Sequence, residues 1–256
     1  MIPELNKIYQ GDTLETLKTW PDEFIDCVIT SPPYWKQRDY EVSGQYGLED
    51  TETEFIDKMC NVFDEVKRIL KQTGVLFVVI KDTYYGGGRN AGNTKPHPKA
   101  RKGLEFVGNI VKAPKGNGKA QIPARFSIEM LKRKWILQNE IIWQKPNQMP
   151  ESVKKRFTND FEMVYFFTKS TNYYFNQQLE SSSDKSEMDY RRILRRKNAN
   201  DYKLKKPYSG NFPKSFREDG MRNKRTVWNI PTKSYYGAHS ASYPEELVKL
   251  CVEAGC

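Results

Sequence analysis

Apolar positions along this chain alternate between short continuous runs and longer stretches at helical spacing. Ile25-Asp26-Cys27-Val28-Ile29-Thr30 is largely β-branched and apolar and runs into Pro32-Pro33, which predicts a buried strand ending at a loop. Thr51 with Glu54 makes a capping box. Phe55, Met59, Val62, Phe63, Val66, Ile69 and Leu70 follow at helical spacing, with Gly74 as the stop. Val75-Leu76-Phe77-Val78-Val79-Ile80 reads as a second strand, continuous in the way of a parallel sheet covered on both faces. Residues 84–120 are rich in Gly, Lys and Asn and read as a long loop or mobile insertion. Pro123 to Lys134 predicts a helix begun by proline, and strands are expected around Ile136–Trp143 and Glu162–Phe167. A last helix starts at Pro244, again with proline in its first turn. This repeated strand–helix–strand order predicts an open α/β sheet, whose ligands sit at the carboxyl ends of strands. The loop from Ser31 falls at one such end.

The 256 residues, 38% of them hydrophobic, suffice for one sizeable core or two small domains. No apolar run approaches the roughly 18 residues of a membrane span, and the N-terminus lacks a stretch of signal-peptide length. Cys27, Cys60, Cys251 and Cys256 are scattered without a CxxC pair, which suits a reducing, cytoplasmic location rather than a disulfide framework. A net charge of +10 makes nucleic acid the first partner to weigh, against a merely soluble basic surface. Charge placement favours the former. Residues 191–225, RRILRRKNANDYKLKKPYSGNFPKSFREDGMRNKR, interleave Arg and Lys with Tyr202, Tyr208, Phe212 and Phe216. A purely solvated face has no use for these aromatics, whereas base stacking or groove contact does.

Thr30-Ser31-Pro32-Pro33-Tyr34-Trp35 is the stretch with the most specific chemistry. Two prolines fix the backbone and remove two N–H donors, leaving carbonyl oxygens free to accept. Ser31 adds a hydroxyl, and Tyr34 a flat ring on which an extruded base can stack. Such a pocket accepts hydrogen bonds from an amino group whose lone pair is otherwise delocalised, and aims that lone pair at an electrophile. Taken bare, the same residues also suit an ordinary proline turn.

The surroundings narrow the choice. GDTLETLKTWPDEFIDCVITSPPYWKQRDYEVSGQYGLE resembles the N-terminal part of the β-group DNA amino-methyltransferases, with their Gly-Asp motif, apolar strand and Ser-Pro-Pro-Tyr loop. GVLFVVIKDTYYGG, IIWQKPNQMPESVKKRFTNDFEMVYFFTKS and TVWNIPTKSYYGAHSASYPEELVKLCVEAGC are similar to later blocks of that family, in the family's order. The resemblance implies a Rossmann-like, S-adenosylmethionine-dependent methyltransferase sheet with an inserted basic target-recognition region. The expected segments are a catalytic core over 1–174, target recognition over 175–230, and a return to the core over 231–256. It further implies a restriction–modification or phage-type enzyme that flips a cytosine from duplex DNA and methylates N4 directly, without a covalent intermediate or catalytic cysteine.

By the same resemblance, Ser31, Pro32, Pro33 and Tyr34 are catalytic. Asp12, beside Gly11, borders the adenosine of the cofactor, and His239, Ala241, Tyr243 and Pro244 border its methionine end. Serine at the first loop position implies cytosine-N4, aspartate being the commoner residue in adenine-N6 enzymes, which remain the alternative. Arg38, Arg156, Arg191, Arg192, Arg195 and Arg196 are the candidate DNA contacts, with surface ion pairs as their ordinary alternative. Asp12 equally suits a turn cap, and His239 a satisfied loop histidine. No metal site is expected, because His97 and His239 lack ligand-spaced partners. Tyr84-Tyr85-Gly86-Gly87-Gly88 reads as a flexible loop rather than a phosphate cradle.

One departure stands out. The family's Phe-x-Gly-x-Gly loop is absent, and Ala254-Gly255-Cys256 ends where its strand is expected to begin. The expectation is a sheet left with an unfilled gap or an exposed edge, either because the gene product is truncated or because another polypeptide supplies the rest. Self-association through the open edge is expected with it, and weak or no cofactor binding and activity by this chain alone. A DNA-binding partner subunit without an autonomous cofactor site is the competing reading, and an RNA-binding protein the third.

Overall fold

The computed structural model describes residues 2–40, 42–85, 118–182, 221–233 and 242–256. The chain forms two compact units, one from residues 1–175 and 226–256, the other from Asn176–Arg225. In the first unit, helix α1 (Thr13–Lys18) precedes strand β1 (Ile25–Thr30), helix α2 (Glu52–Ile69) and strand β2 (Leu70–Ile80). Helix α3 (Ile122–Lys132) leads to β3 (Ile136–Gln144) and β4 (Phe161–Thr168). In the second unit, β5 (Leu179–Ser181) pairs antiparallel with β6 (Met221–Asn223). The first unit resumes with β7 (Val227–Asn229) and ends on helix α4 (Glu245–Gly255).

The expected α/β sheet is present, with strand order β1-β2-β4-β3-β7. The β1–β2 and β3–β7 pairs are parallel, but β4 runs antiparallel to both of its neighbours, β2 and β3. No helix separates β3 from β4, so the strand–helix–strand alternation breaks there. Each sheet face carries its own core. Leu76, Val78 and Ile80 point toward α2 and α3, meeting Phe63, Phe126 and Phe167. Val75, Phe77 and Val79 point the other way, toward Leu247, Cys251 and Ala254 of α4. Among the described residues, β1 has no strand on its second edge, and its apolar side chains Val28 and Ile29 remain half-buried.

Helix α2 starts as its sequence predicts. Thr51 Oγ1 accepts from Glu54 N at 3.1 Å, and Glu54 Oε2 accepts from Thr51 N at 3.2 Å. It ends differently. Leu70 turns directly into β2, and Gly74 lies inside that strand rather than capping the helix. A glycine cap is dispensable because partners elsewhere take the last carbonyls: Glu23 N donates to Arg68 O, Phe24 N to Ile69 O, and Lys169 Nζ to Lys67 O and Leu70 O. Gly74 answers another need. A Cβ there would lie 2.9 Å from Leu70 Cδ2 and 3.1 Å from the carbonyl oxygens of Ile25 and Asp26, where the register between β1 and β2 shifts. Pro244 likewise stands just before α4, at its N-cap, rather than in its first turn.

Of the long segment expected over 84–120, residues 86–117 lie outside the described residues. Its ends meet, because Tyr85 N donates to Gly118 O at 2.9 Å and Ala120 N to Thr83 O at 2.8 Å.

Gly74→Val forces a side chain against two carbonyls fixed in the sheet. It is expected to lower unfolding free energy by about 1–3 kcal/mol, seen as a reduced urea midpoint at unchanged slope.

Candidate active site

Because β1, β2 and β3 run the same way and β4 runs against them, four segments converge at one end of the sheet. They are the loop leaving β1, the Lys81-Asp82 turn after β2, Lys145 after β3, and Glu162 at the start of β4. This is the carboxyl edge where an open α/β sheet binds ligands.

The loop leaving β1 is held from below. Trp35 is fully buried; its Nε1 donates to Glu49 O at 3.0 Å, and its carbonyl accepts from Thr83 Oγ1 at 2.8 Å. Lys36, at positive φ, donates from its backbone N to Gly47 O at 2.7 Å. Gly47 itself has φ +97°, and a Cβ there would lie 3.0 Å from Tyr34 O, so glycine lets the two backbones touch. Trp35 is therefore the anchor of the loop.

Tyr34 turns its hydroxyl inward. It donates to Glu162 Oε2 at 2.6 Å, across 128 residues of sequence, and accepts from Ser31 Oγ at 3.2 Å. Burial, then the Glu162 charge, holds the Tyr34 phenol well above the ordinary phenol range. Glu162 is 6% exposed, and its other oxygen receives Lys145 Nζ, itself 9% exposed and 4.3 Å from the centroid of the Trp143 ring. Burial lowers the nearby Lys81 ammonium, with Glu162 opposing that shift and Lys145 adding to it. Asp82 has a separate task. Its Oδ1 accepts from Thr83 N and Ile122 N, both at 2.9 Å, and so caps α3, whose own N-cap Gln121 makes no side-chain bond.

Ser31, Pro32 and Pro33 line a cavity of about 580 Å³ together with Thr13, Thr30 and Tyr46, its floor formed by Met59, Val62 and Phe63 of α2. That volume suits a nucleoside-sized molecule. Asp12 Oδ1 caps α1 by accepting from Glu15 N at 2.9 Å. The next residue, Thr13, lines the cavity, and the Asp12 charge helps raise the Tyr46 phenol, after burial. Tyr243, half-buried, and Pro244 sit at the start of α4, and neither lines this cavity. A larger cavity, about 970 Å³, opens away from the loop among Phe24, Ile25, Tyr173 and Gly255.

Of the candidate DNA contacts, Arg38 is half-buried and its carbonyl accepts from Gln45 Nε2 at 3.0 Å. Arg156 lies 2.8 Å from Glu151 Oε2 and 3.9 Å from the centroid of the Tyr84 ring. In the second unit, Glu180 accepts from Arg222 Nε at 3.0 Å and Arg225 Nε at 2.6 Å. His239, Ala241, Arg191, Arg192, Arg195 and Arg196 lie outside the described residues. Burial, then Cys256, pushes the Cys27 thiol far up, which disfavours its thiolate. Sequence reasoning missed Glu162, Lys145, Tyr46 and Gly47. The one local signal was a glutamate opening an otherwise apolar strand.

A sequence profile of DNA methylases matches residues 25–256. The chain is 34% identical over 254 residues to the type II methyltransferase M.Cfr9I of Citrobacter freundii, covering 98% of this chain and 73% of that one. It is also 34% identical to M.SmaI of Serratia marcescens, covering 97% of this chain and 75% of the relative. Among solved structures, the PvuII DNA methyltransferase (cytosine-N4-specific) has a similar fold. The TM-score is 0.58 at 17% identity, over 97% of this chain and 69% of that one.

Gly44 and Gly47 both have positive φ, but only Gly47 faces a neighbour within 4 Å. Gly44→Ala thus measures backbone strain alone, about 1–3 kcal/mol. Gly47→Ala is expected to destabilise more, the excess in paired urea titrations reporting the contact with Tyr34.

Proposed function

Because the chain belongs to the N6/N4 DNA methylase family, we propose that it transfers a methyl group from S-adenosylmethionine to the exocyclic N4 of cytosine in duplex DNA. The observation that carries this reading is the loop at the carboxyl end of β1, whose Ser31, Pro32 and Pro33 line a cavity of nucleoside size while Tyr34 anchors it to Glu162. Serine at the first loop position, and the similar fold of an enzyme named as cytosine-N4-specific, favour cytosine over adenine.

The residues present fit the cofactor. Thr13, Thr30 and Tyr46 line the cavity, with Asp12 next to Thr13 in the chain. When bound, S-adenosylmethionine supplies an electrophilic methyl on a sulfonium. Ser31 Oγ and the proline-loop carbonyls receive the amino hydrogens of a flipped base and hold its nitrogen in line. The ring of Tyr34 supports the base. The basic residues of the 175–230 segment, Arg191, Arg192, Arg195 and Arg196 among them, supply phosphate contact and target choice, with Arg38 and Arg156 near the catalytic end. Among the described residues no strand pairs with the second edge of β1, which supports addition of another strand there, from a second polypeptide or a second copy.

Ser31→Ala is expected to abolish most methyl transfer while leaving duplex binding within about twofold, because phosphate contacts supply most of the affinity. Tritium transfer to duplexes with only cytosine or only adenine in the target site, followed by nucleoside analysis, checks both parts. N6-methyladenine as the product reverses the base assignment, and full activity of the variant removes Ser31 from the site. Replacing Arg191, Arg192, Arg195 and Arg196 by Gln should flatten the salt dependence of binding, by a slope of about 0.9 per lost phosphate contact. An unchanged slope means that this run is only solvated.

A further inference from the structure

A phenol has one hydrogen, and a carboxylate has none to give. At 2.6 Å from Glu162 Oε2, the Tyr34 hydrogen must lie on the Glu162 side. The Tyr34 oxygen is then left with acceptor capacity only, and Ser31 Oγ, 3.2 Å away, meets it by donating. Ser31 spends its single hydrogen inward and turns only lone pairs toward the cavity. That polarity is what an amino group needs, since it arrives with hydrogens and requires acceptors.

We propose that Glu162, its second oxygen held by Lys145, is a positioning residue that acts through Tyr34 to make the Ser31 hydroxyl a one-way acceptor for the base amine. The proposal rests on the reading of Ser31 as the group that meets that amine. Left to itself, a serine hydroxyl rotates and offers a hydrogen as readily as a lone pair. A donor facing the amine would repel its hydrogens or engage the lone pair that has to attack. The chain Ser31–Tyr34–Glu162–Lys145 removes that freedom because its last acceptor is an anion, fixed at both oxygens and shut from water. Glu162 belongs to β4 and Lys145 directly follows β3, and the two strands are paired in register through Trp143 and Glu162. The direction of the chain is thus built into the sheet. The high Tyr34 phenol fits a hydroxyl facing a buried carboxylate.

Two measurements test this on the full chain. In protein carrying 13C at tyrosine Cζ, with the Tyr34 signal assigned by Tyr34→Phe, Glu162→Gln should let Tyr34 ionise at lower pH than in the parent. An unchanged titration overturns the coupling. In methyl transfer, Glu162→Gln and Tyr34→Phe should each lower kcat roughly 10- to 100-fold. KM for DNA should stay within about twofold, and the double variant should be no worse than the poorer single one. A parental kcat in either variant, or losses that multiply, overturns the proposal. If Glu162→Gln leaves Lys145 unpaired and unfolds the chain, Glu162→Gln with Lys145→Met removes both charges and takes its place. A parent that methylates neither cytosine nor adenine duplexes defeats the functional reading instead, while the tyrosine titration still decides the polarity of the chain.

Discussion

Charge taken out of water has to be paired, and the Lys145–Glu162 pair meets that demand where the end of β3 and the start of β4 face the loop from Ser31 to Trp35. Losing one partner of such a pair typically costs about 3–5 kcal/mol, because the other is left buried and alone. The pair therefore ties strand register to loop position. A slip of β4 by one residue against β3 would carry the carboxylate to the other sheet face, away from both Lys145 and Tyr34. The loop from Ser31 to Trp35 is fixed from below by Trp35 and from the side by Glu162. These constraints leave the Ser31 end of the cavity with little freedom.

Much of the scaffold is legible in the sequence where the signal is local. The Thr51–Glu54 box and the spacing from Phe55 to Ile69 specify α2, and the run Val75–Ile80 specifies a strand buried on both faces. Direction is not local. Glu162–Phe167 has the composition of any central strand, and only its partners show that it runs antiparallel. Gly74 misled for a related reason. Glycine after a helix usually marks its end, but here the crowding comes from Ile25 and Asp26, nearly fifty positions upstream.

The candidate site divides along the same line. Ser31-Pro32-Pro33-Tyr34 could be found by residue type alone, because two prolines beside a hydroxyl and an aromatic ring are chemically distinctive. Glu162 and Lys145 could not, since a charged residue at a strand end is usually solvated. Their role follows only from a sheet order that brings β4 between β2 and β3. Asp12 shows the two readings coexisting: it caps α1, and its charge still reaches Tyr46 beside the cavity.

The position of β4 also bears on how the chain is made at the ribosome. β2 is complete by Ile80, yet the strand that covers its second edge spans Phe161–Thr168. At elongation rates of about 5–20 residues per second, the buried run Val75–Ile80 of β2 waits on the order of ten seconds for that neighbour. During that interval β1 and α2 can dock on β2, but its other edge stays open to any extended segment nearby. Cellular holdases that bind exposed apolar strands therefore have a natural window on this nascent chain, and it closes when Thr168 emerges.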